Sequence, residues 1–505
     1  MEDRNIPDIE DCAPREPRPE ECCGSGCPRC VWDIYFEALE AFKNRRVKAS
    51  SVPVPRSSQP ESALTDYGQV GSRHGSVVIR YCDDFEDEPE EDPVSSLRHR
   101  GYSSTCCDII RKSDGGLVLG SLRGLRLSSL CRTTPEPGCT VDILAENSSS
   151  DVLKLLERLG VPSDRKVRLM QSPFAPPNSF PPWLPKDRAI STASLFQYYI
   201  DISSLAVVRS PGLWKLIESH CQIVPSEKEA ASSLEAMRGS ALQGLFAGSL
   251  PSLYDVLEYF PSTVPPLARL LEVLPSLRER KFSIANDPLN DVLPEIVFRE
   301  VIVERSHQFS LAESHPGASL FYGHATKRLA SSGTIWCRPS INGVIPGQST
   351  FVHALQRVAP SIPVMLVAGG AGIAPLRAFL QRRSRSVPAT GQALLFFATR
   401  HASEVRMFED EFAQWKISGL LQSTYFAVSR DQAAEHQRID SLITAHKGEI
   451  SKLLSFPDSR VVACGPQGML DCVRGHLSPF FESQEALDGR LLIEKWSNSA
   501  AGTAM

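Results

Sequence analysis

The spacing of apolar and polar positions changes three times along this chain, and each change predicts a different kind of element. Up to about residue 95 apolar residues are scattered among Pro, Ser and charged positions, ending in "CDDFEDEPEEDP", where eight acids fall between Asp83 and Asp92. So little apolar surface cannot fill a core, and the stretch is expected to be disordered apart from a patch around "CVWDIYFEALEAF". From about Leu117 short alternating segments bounded by turn residues, "GGLVLGSL" and then "PGCTVDILAE", predict antiparallel strands. "SSDVLKLLERLGV" places apolar residues at 152, 153, 155, 156 and 159, with Ser150 or Asp151 as N-cap and Gly160 as stop, which predicts a helix with one buried face. Between about Ile190 and Pro275 the period is helical, through "STASLFQYYIDI", "PGLWKLIESH", "ALQGLFAG", "LYDVLEYF" and "LARLLEVL". "EIVFREVIVER", Glu295 to Arg305, then reads as a strand. From Ile362 onward apolar runs of strand length ("PVMLVAG", "ALLFFAT", "STYFAVS", "RVVACG") alternate with helical patterns, and that alternation predicts a doubly wound parallel sheet.

Composition narrows the function classes. With 505 residues, 42% of them hydrophobic and 22% charged, two or three globular domains are expected. A net charge of -5 argues against general nucleic-acid binding. No apolar run approaches the ~20 residues that span a bilayer. The N-terminus "MEDRNIPDIEDCAPREPRPEE" has the pattern of neither a signal peptide nor an Arg-rich transit sequence. A soluble protein of the cytoplasm is expected, the mitochondrion being the alternative. Fourteen cysteines are too dilute for a disulfide scaffold in a chain of this length. Five of them, however, lie within the first 30 residues. Cys22, Cys23, Cys27 and Cys30 have the spacing of metal ligands, and equally that of a reduced or redox-active thiol cluster.

The glycines of "VMLVAGGAGIAPLRAFLQRR" raise the central question. Gly370-x-Gly372-x-x-Pro375 either makes a tight turn or opens a phosphate cradle at the carboxyl end of a strand, where open α/β sheets bind ligands. Absence of Lys-Ser/Thr after the glycines excludes a P-loop. In order along the chain stand "LYDVLEYFPSTVPPLARLLEVLPSLRERKFSIANDP", the glycine run, "LLFFATRHASEVRMFEDEF", "VVACGPQGM" and "GRLLIEKWS". Taken together over roughly residues 100 to 500, these motifs resemble the FAD/NADPH half of the diflavin reductases, within the ferredoxin-NADP reductase superfamily. "CCGSGCPRCVWDIY" resembles the short oxidoreductase-like N-terminal module.

That resemblance implies a multidomain chain: a Cys-rich module at 1–50, an acidic disordered linker at 51–98, an FAD domain at 99–350 and an NADPH domain at 351–505. The FAD domain is expected to be a six-stranded antiparallel barrel with a helical insert at about 190–275. In "RKFS", the resemblance gives Arg280 to the flavin pyrophosphate, Phe282 to stacking on the isoalloxazine and Ser283 to a hydrogen bond near flavin N5; without a flavin, the same residues would be an edge strand with Phe282 in the core. In "FYGHATKRL", Gly323, Ala325 and Thr326 match the pyrophosphate cradle, or else mark a helix N-cap at Thr326. The second strand ends in Thr399 and Arg400, where an NAD-specific fold would offer an acid, and Ser429 with Arg430 match the family's 2'-phosphate clamp, which favours NADPH over NADH; either Arg alone would read as a solvated surface charge. His436 and Arg438 stand where the family has Lys-x-Tyr, Arg438 keeping the charge. Cys464 would lie beside the nicotinamide, with Glu494 in place of the family's Asp and Trp496 as the aromatic that covers the flavin. The departures at Phe282, Ala371 and Glu494 sustain a second expectation, a non-enzymatic interaction protein on a degenerate reductase body. Under the first, no flavodoxin-like FMN domain is recognisable before residue 100, so a separate acceptor is expected: a flavodoxin-like or haem protein, or the N-terminal cysteine module.

Overall fold

The structure is a computed structural model and describes residues 75–81, 92–112, 120–128, 139–221, 226, 228–230, 252–287, 293–304, 320–331, 333–339, 351–385, 392–431 and 437–495. The Cys22, Cys23, Cys27 and Cys30 cluster, the patch around residues 30–42, "ALQGLFAG", His436 and Trp496 lie outside them.

Its first layer is a six-stranded antiparallel sheet. The strands are β2 (Ser103–Lys112), β3 (Leu122–Leu127), β4 (Thr140–Leu144), β7 (Arg280–Ser283), β8 (Glu295–Arg299) and β11 (Gly333–Pro339), in the order β7-β4-β11-β2-β3-β8. Alternation puts Leu125, Leu127, Val141, Ile143, Ile296 and Phe298 on one buried face, each such side chain contributing about 1.5 to 3 kcal/mol. Its outer strands approach each other through the bridge between Ile284 and Ile296 and the Ala285 N–H donating to the Glu295 carbonyl, 2.7 Å.

A smaller sheet joins β1 (Val77–Tyr81), β5 (Lys166–Gln171) and β6 (Ala189–Ser191). It packs with helices Ser149–Arg158, Thr192–Tyr198, Pro211–His220, Leu253–Tyr259 and Leu267–Val273 around Phe196, Trp214 and Phe260. Strand β1 falls in the stretch expected to be linker. "VVIRY" is short but β-branched, and its sheet pairing with Val167–Gln171, backed by Val77 N–H donating to Glu272, supplies what the local sequence lacks. Asp92, the last acid of the charged run, N-caps the helix Pro93–His99 by accepting from Val94 and Ser95 N–H. The Ser149–Arg158 helix starts two to three residues earlier than expected, with Ser148 at the N-cap. Gly160, at φ +66, ends it as the sequence suggests.

"EIVFREVIVER" is not one strand. β8 stops at Arg299, and β9 (Ile302–Glu304) pairs instead with β10 (Leu320–Tyr322). The break has a local cause. Val301 gives its N–H to Thr326 Oγ1 and its carbonyl to Gly323 N–H, so its backbone is committed to the start of the helix His324–Ala330 and is lost to the ladder.

The last layer is a five-stranded parallel sheet of β12 (Val364–Gly369), β13 (Ala393–Thr399), β14 (Ser423–Val428), β15 (Arg460–Gly465) and β16 (Leu491–Lys495), ordered β14-β13-β12-β15-β16. Residues Val364 to Ala368 are wholly buried, as a central parallel strand covered by helices on both faces requires. Strand order reverses between β12 and β15, which places the sheet's ligand crevice at the carboxyl ends of those two strands.

Candidate functional site

At that reversal the glycines do different jobs. A Cβ on Gly372 would stand 2.2 Å from the Cys464 carbonyl oxygen, so this glycine exists for close approach of backbone to backbone. Gly370 has φ +55, and a Cβ there would meet the Arg299 guanidinium at 3.2 Å. Gly369 and Gly465 both lie against Met469. Pro375 is buried in the first turn of the helix Ile373–Ser384 that follows. The backbone angles of a tight turn therefore require glycine at Gly370, with φ +55, which also faces the Arg299 guanidinium, while Gly372, with φ -59, is glycine for the close approach.

Past the end of β13 and β14 the cations gather. Ser429 gives its N–H and its hydroxyl to the Thr399 carbonyl, both at 3.1 Å, and Arg430 gives its N–H to the Arg400 carbonyl at 2.8 Å. Side by side on these laced segments sit Arg400, half-buried, and Arg430, exposed. Burial first, then the charges of Arg299 and Arg430, push the Arg400 guanidinium down to about 10. Among the described residues its side chain has no hydrogen-bond or ion-pair partner, and neither has that of Arg430. A half-buried cation beside a second one, with free N–H donors on both, is a donor set suited to phosphate. Arg438 is separate from it, exposed at the start of the helix Ile439–Ala445 and 3.5 Å from Asp440.

Cys464 and Glu494 are register partners on β15 and β16. Burial, aided by the Glu494 charge, holds the Cys464 thiol well above its usual range. Burial also raises the Glu494 carboxyl to about 7. The pair stands at the same crevice as Gly372.

On the antiparallel side, Arg280 lies on the outer strand β7. Its guanidinium donates to the Arg278 and Glu279 carbonyls and has no ion pair among the described residues, which leaves N–H donors for an anion. Phe282, read as a flavin-stacking ring or a core residue of an edge strand, is largely covered. It is 8% exposed and packs edge-on to Phe298 at 6.4 Å, because its position opposite Val141 points it into the sheet's core. Ser283 beside it is buried, opposite Thr140. Gly323, not Thr326, is the N-cap of the helix His324–Ala330. A Cβ on Gly323 would collide with Val301 at 2.6 Å. Ala325 is buried, and the Thr326 hydroxyl donates to the Gly323 carbonyl at 3.1 Å while accepting from Val301, so it fastens helix to strand.

Sequence patterns did not single out the groups that join the two sheets. Arg299, at the end of β8, pairs with the fully buried Glu404 of the helix Ala402–Arg406, and Glu404 also accepts the Arg400 N–H at 3.1 Å. Arg377 donates to Glu295 at 2.8 Å and to both oxygens of Glu411 at 2.7 Å, and Arg111 reaches Glu411 at 3.1 Å. These ion pairs connect residues of opposite charge 34 to 300 positions apart, and no local periodicity marks them.

Comparison with known proteins agrees with this division. Residues 132–319 match an FAD binding domain, residues 366–475 an oxidoreductase NAD-binding domain and residues 11–51 an oxidoreductase-like N-terminal domain. A bifunctional cytochrome P450/NADPH–P450 reductase of Fusarium oxysporum is 27% identical over 57% of this chain and 25% of its own length. A bifunctional cytochrome P450/NADPH–P450 reductase of Bacillus subtilis is 28% identical over 60% of this chain and 27% of its own. A nitric oxide synthase of Bombyx mori is 25% identical over 68% and 28%. The chain thus spans about a quarter of the length of these relatives. Its antiparallel and parallel layers thus carry the matches to an FAD binding domain and an oxidoreductase NAD-binding domain, and over them the chain is similar to a portion of the bifunctional cytochrome P450/NADPH–P450 reductases.

Proposed function

We propose that this protein is an NADPH-dependent FAD oxidoreductase that passes electrons from NADPH to a separate acceptor. The observation that carries the nucleotide choice is the pair of guanidiniums, Arg400 and Arg430, without a hydrogen-bond or ion-pair partner among the described residues, at the carboxyl edge of the parallel sheet beside Ser429. Two cations and a hydroxyl in that place suit the 2'-phosphate that NADPH has and NADH lacks. Arg280 would hold the flavin pyrophosphate, with Ser283 beside it and Gly323 and Ala325 at the neighbouring helix start. Bound FAD supplies the capacity to accept a hydride and release electrons singly. Cys464, held as the thiol by burial, and Glu494, whose carboxyl burial raises to about 7, would line the nicotinamide side. The acceptor is proposed to be a haem or flavodoxin-like protein, or the oxidoreductase-like N-terminal segment, since the named relatives include enzymes fused to a P450.

Purified protein reconstituted with FAD should be yellow, retain about one flavin per chain and reduce ferricyanide with NADPH far better than with NADH. Failure to retain flavin would favour the interaction-protein reading instead. FMN in place of FAD would overturn the cofactor assignment.

A further inference from the structure

We propose that Asp431 and His401 are positioning residues that set the spacing of the 2'-phosphate clamp, an inference that rests on the nucleotide reading above. Asp431 directly follows Arg430, and an acid beside a phosphate site would ordinarily oppose the ligand. Here the carboxylate is engaged elsewhere. One oxygen meets His401 Nδ1 at 2.8 Å and the other accepts the Ala402 N–H at 2.7 Å. Those two bonds, with the Ala402 N–H the larger cause, hold the Asp431 carboxyl below its usual range.

Together with the Ser429 and Arg430 backbone bonds to Thr399 and Arg400, this carboxylate ties residues 399–402 to residues 429–431. Arg400 and Arg430 lie on the two tied segments and their like charges repel: after burial, the charges of Arg299 and then Arg430 lower the Arg400 guanidinium. The Ser429 and Arg430 bonds hold the strand ends against that repulsion, and side-chain attraction adds to them. Asp431 supplies it across the gap, with Arg406 adding a further positive charge on the same side. Glu404 is not available for this task, being held by Arg299 and the Arg400 N–H. Asp431 thereby adds to the pre-ordering of two mutually repelling cations, and pre-ordering of donors is what a tight phosphate site requires.

The test is calorimetric binding of 2',5'-ADP and of 5'-AMP to the full-length, flavin-loaded chain. Wild type should prefer 2',5'-ADP. Asp431→Ala should lower that preference by about tenfold, as loss of a supporting residue does elsewhere, with 5'-AMP affinity unchanged. His401→Asn, which keeps an N–H near the Nδ1 position, should retain most of the preference that His401→Ala loses. In turnover with NADPH the Asp431→Ala variant should show a raised KM and an unaltered kcat. A variant that keeps the full preference overturns the proposal, and so does an equal loss for both nucleotides, which would mark a fold defect. If wild type itself does not distinguish the two nucleotides, the clamp reading fails first and this inference with it.

Discussion

Arg299, the last residue of β8, donates to both carboxylate oxygens of Glu404, at 2.5 and 2.8 Å, so that an ion pair joins the antiparallel layer to the parallel one beside the nucleotide turn. Glu404 is 0% exposed, and Arg299 also reaches the Gly120 carbonyl. Removing one partner leaves the other charge buried. Glu404→Gln should therefore destabilise the protein by about 3 to 5 kcal/mol, read as a lower urea midpoint. Arg299→Met with Glu404→Leu should lose less than either single change, and a larger loss in the double variant would mean that the pair is not the coupling element.

Arg280 and Arg430 should separate by cofactor. Arg280→Ala removes charge-assisted bonds to a pyrophosphate and should release FAD on gel filtration while leaving the fold intact. Arg430→Ala should weaken NADPH by about 1.5 to 3 kcal/mol and NADH hardly at all. Equal losses for both nucleotides would place Arg430 outside the clamp.

Glu494 makes stability depend on pH in an uncommon direction. Its carboxyl is raised from 4.5 to about 7 in the folded protein. Between those values the folded state holds a proton that the unfolded chain has released, so stability falls as pH rises across the interval and stays low above it. Glu494→Gln should cancel this slope. Urea titrations of both proteins should show the variant gaining on wild type as pH rises from about 4.5 to about 7. A difference that does not vary with pH would show that the carboxyl is not raised.

Glycine substitutions should diverge in sign. Gly372→Ala forces a methyl against the Cys464 carbonyl and should cost at least about 1 to 3 kcal/mol, with nucleotide binding lost alongside. Gly448→Ala, within the helix Lys447–Leu454 and with nothing within 4 Å, should raise stability by about 0.4 to 1 kcal/mol. Thermal denaturation of the two variants checks both, and a stable Gly372→Ala protein would contradict the close approach.

The parallel layer was legible because β12 and β13 are unbroken apolar runs whose pattern needs no distant partner to interpret. Arg400, Ser429 and Arg430 were legible as a group because strand ends fix where they must lie. Arg299, Glu404 and Arg377 were not, since a charged residue destined for burial looks in sequence like one destined for solvent, and its partner lies on another element. The motif leaves Phe282 either as the ring that stacks on a flavin or as a core residue of an edge strand, because the packing against Phe298 comes from a register that the local sequence does not carry. β1 was missed for a related reason: five residues of weak local signal become a strand only when Val167–Gln171 arrives to pair with them.

The order of strands in the parallel sheet also has a consequence in time. β12, β13 and β14 are neighbours in both sequence and space, so this half can assemble as soon as residue 428 is present. β15 must then return across the sheet to pair with β12, and β16 pairs last. Gly372 finds the Cys464 carbonyl, and Cys464 finds Glu494, only after that return. A nascent or truncated chain ending before residue 460 would hold the glycine turn and the arginines but lack the opposite wall of the crevice. Capacity to grip a dinucleotide would thus be among the last properties acquired as this polypeptide is made.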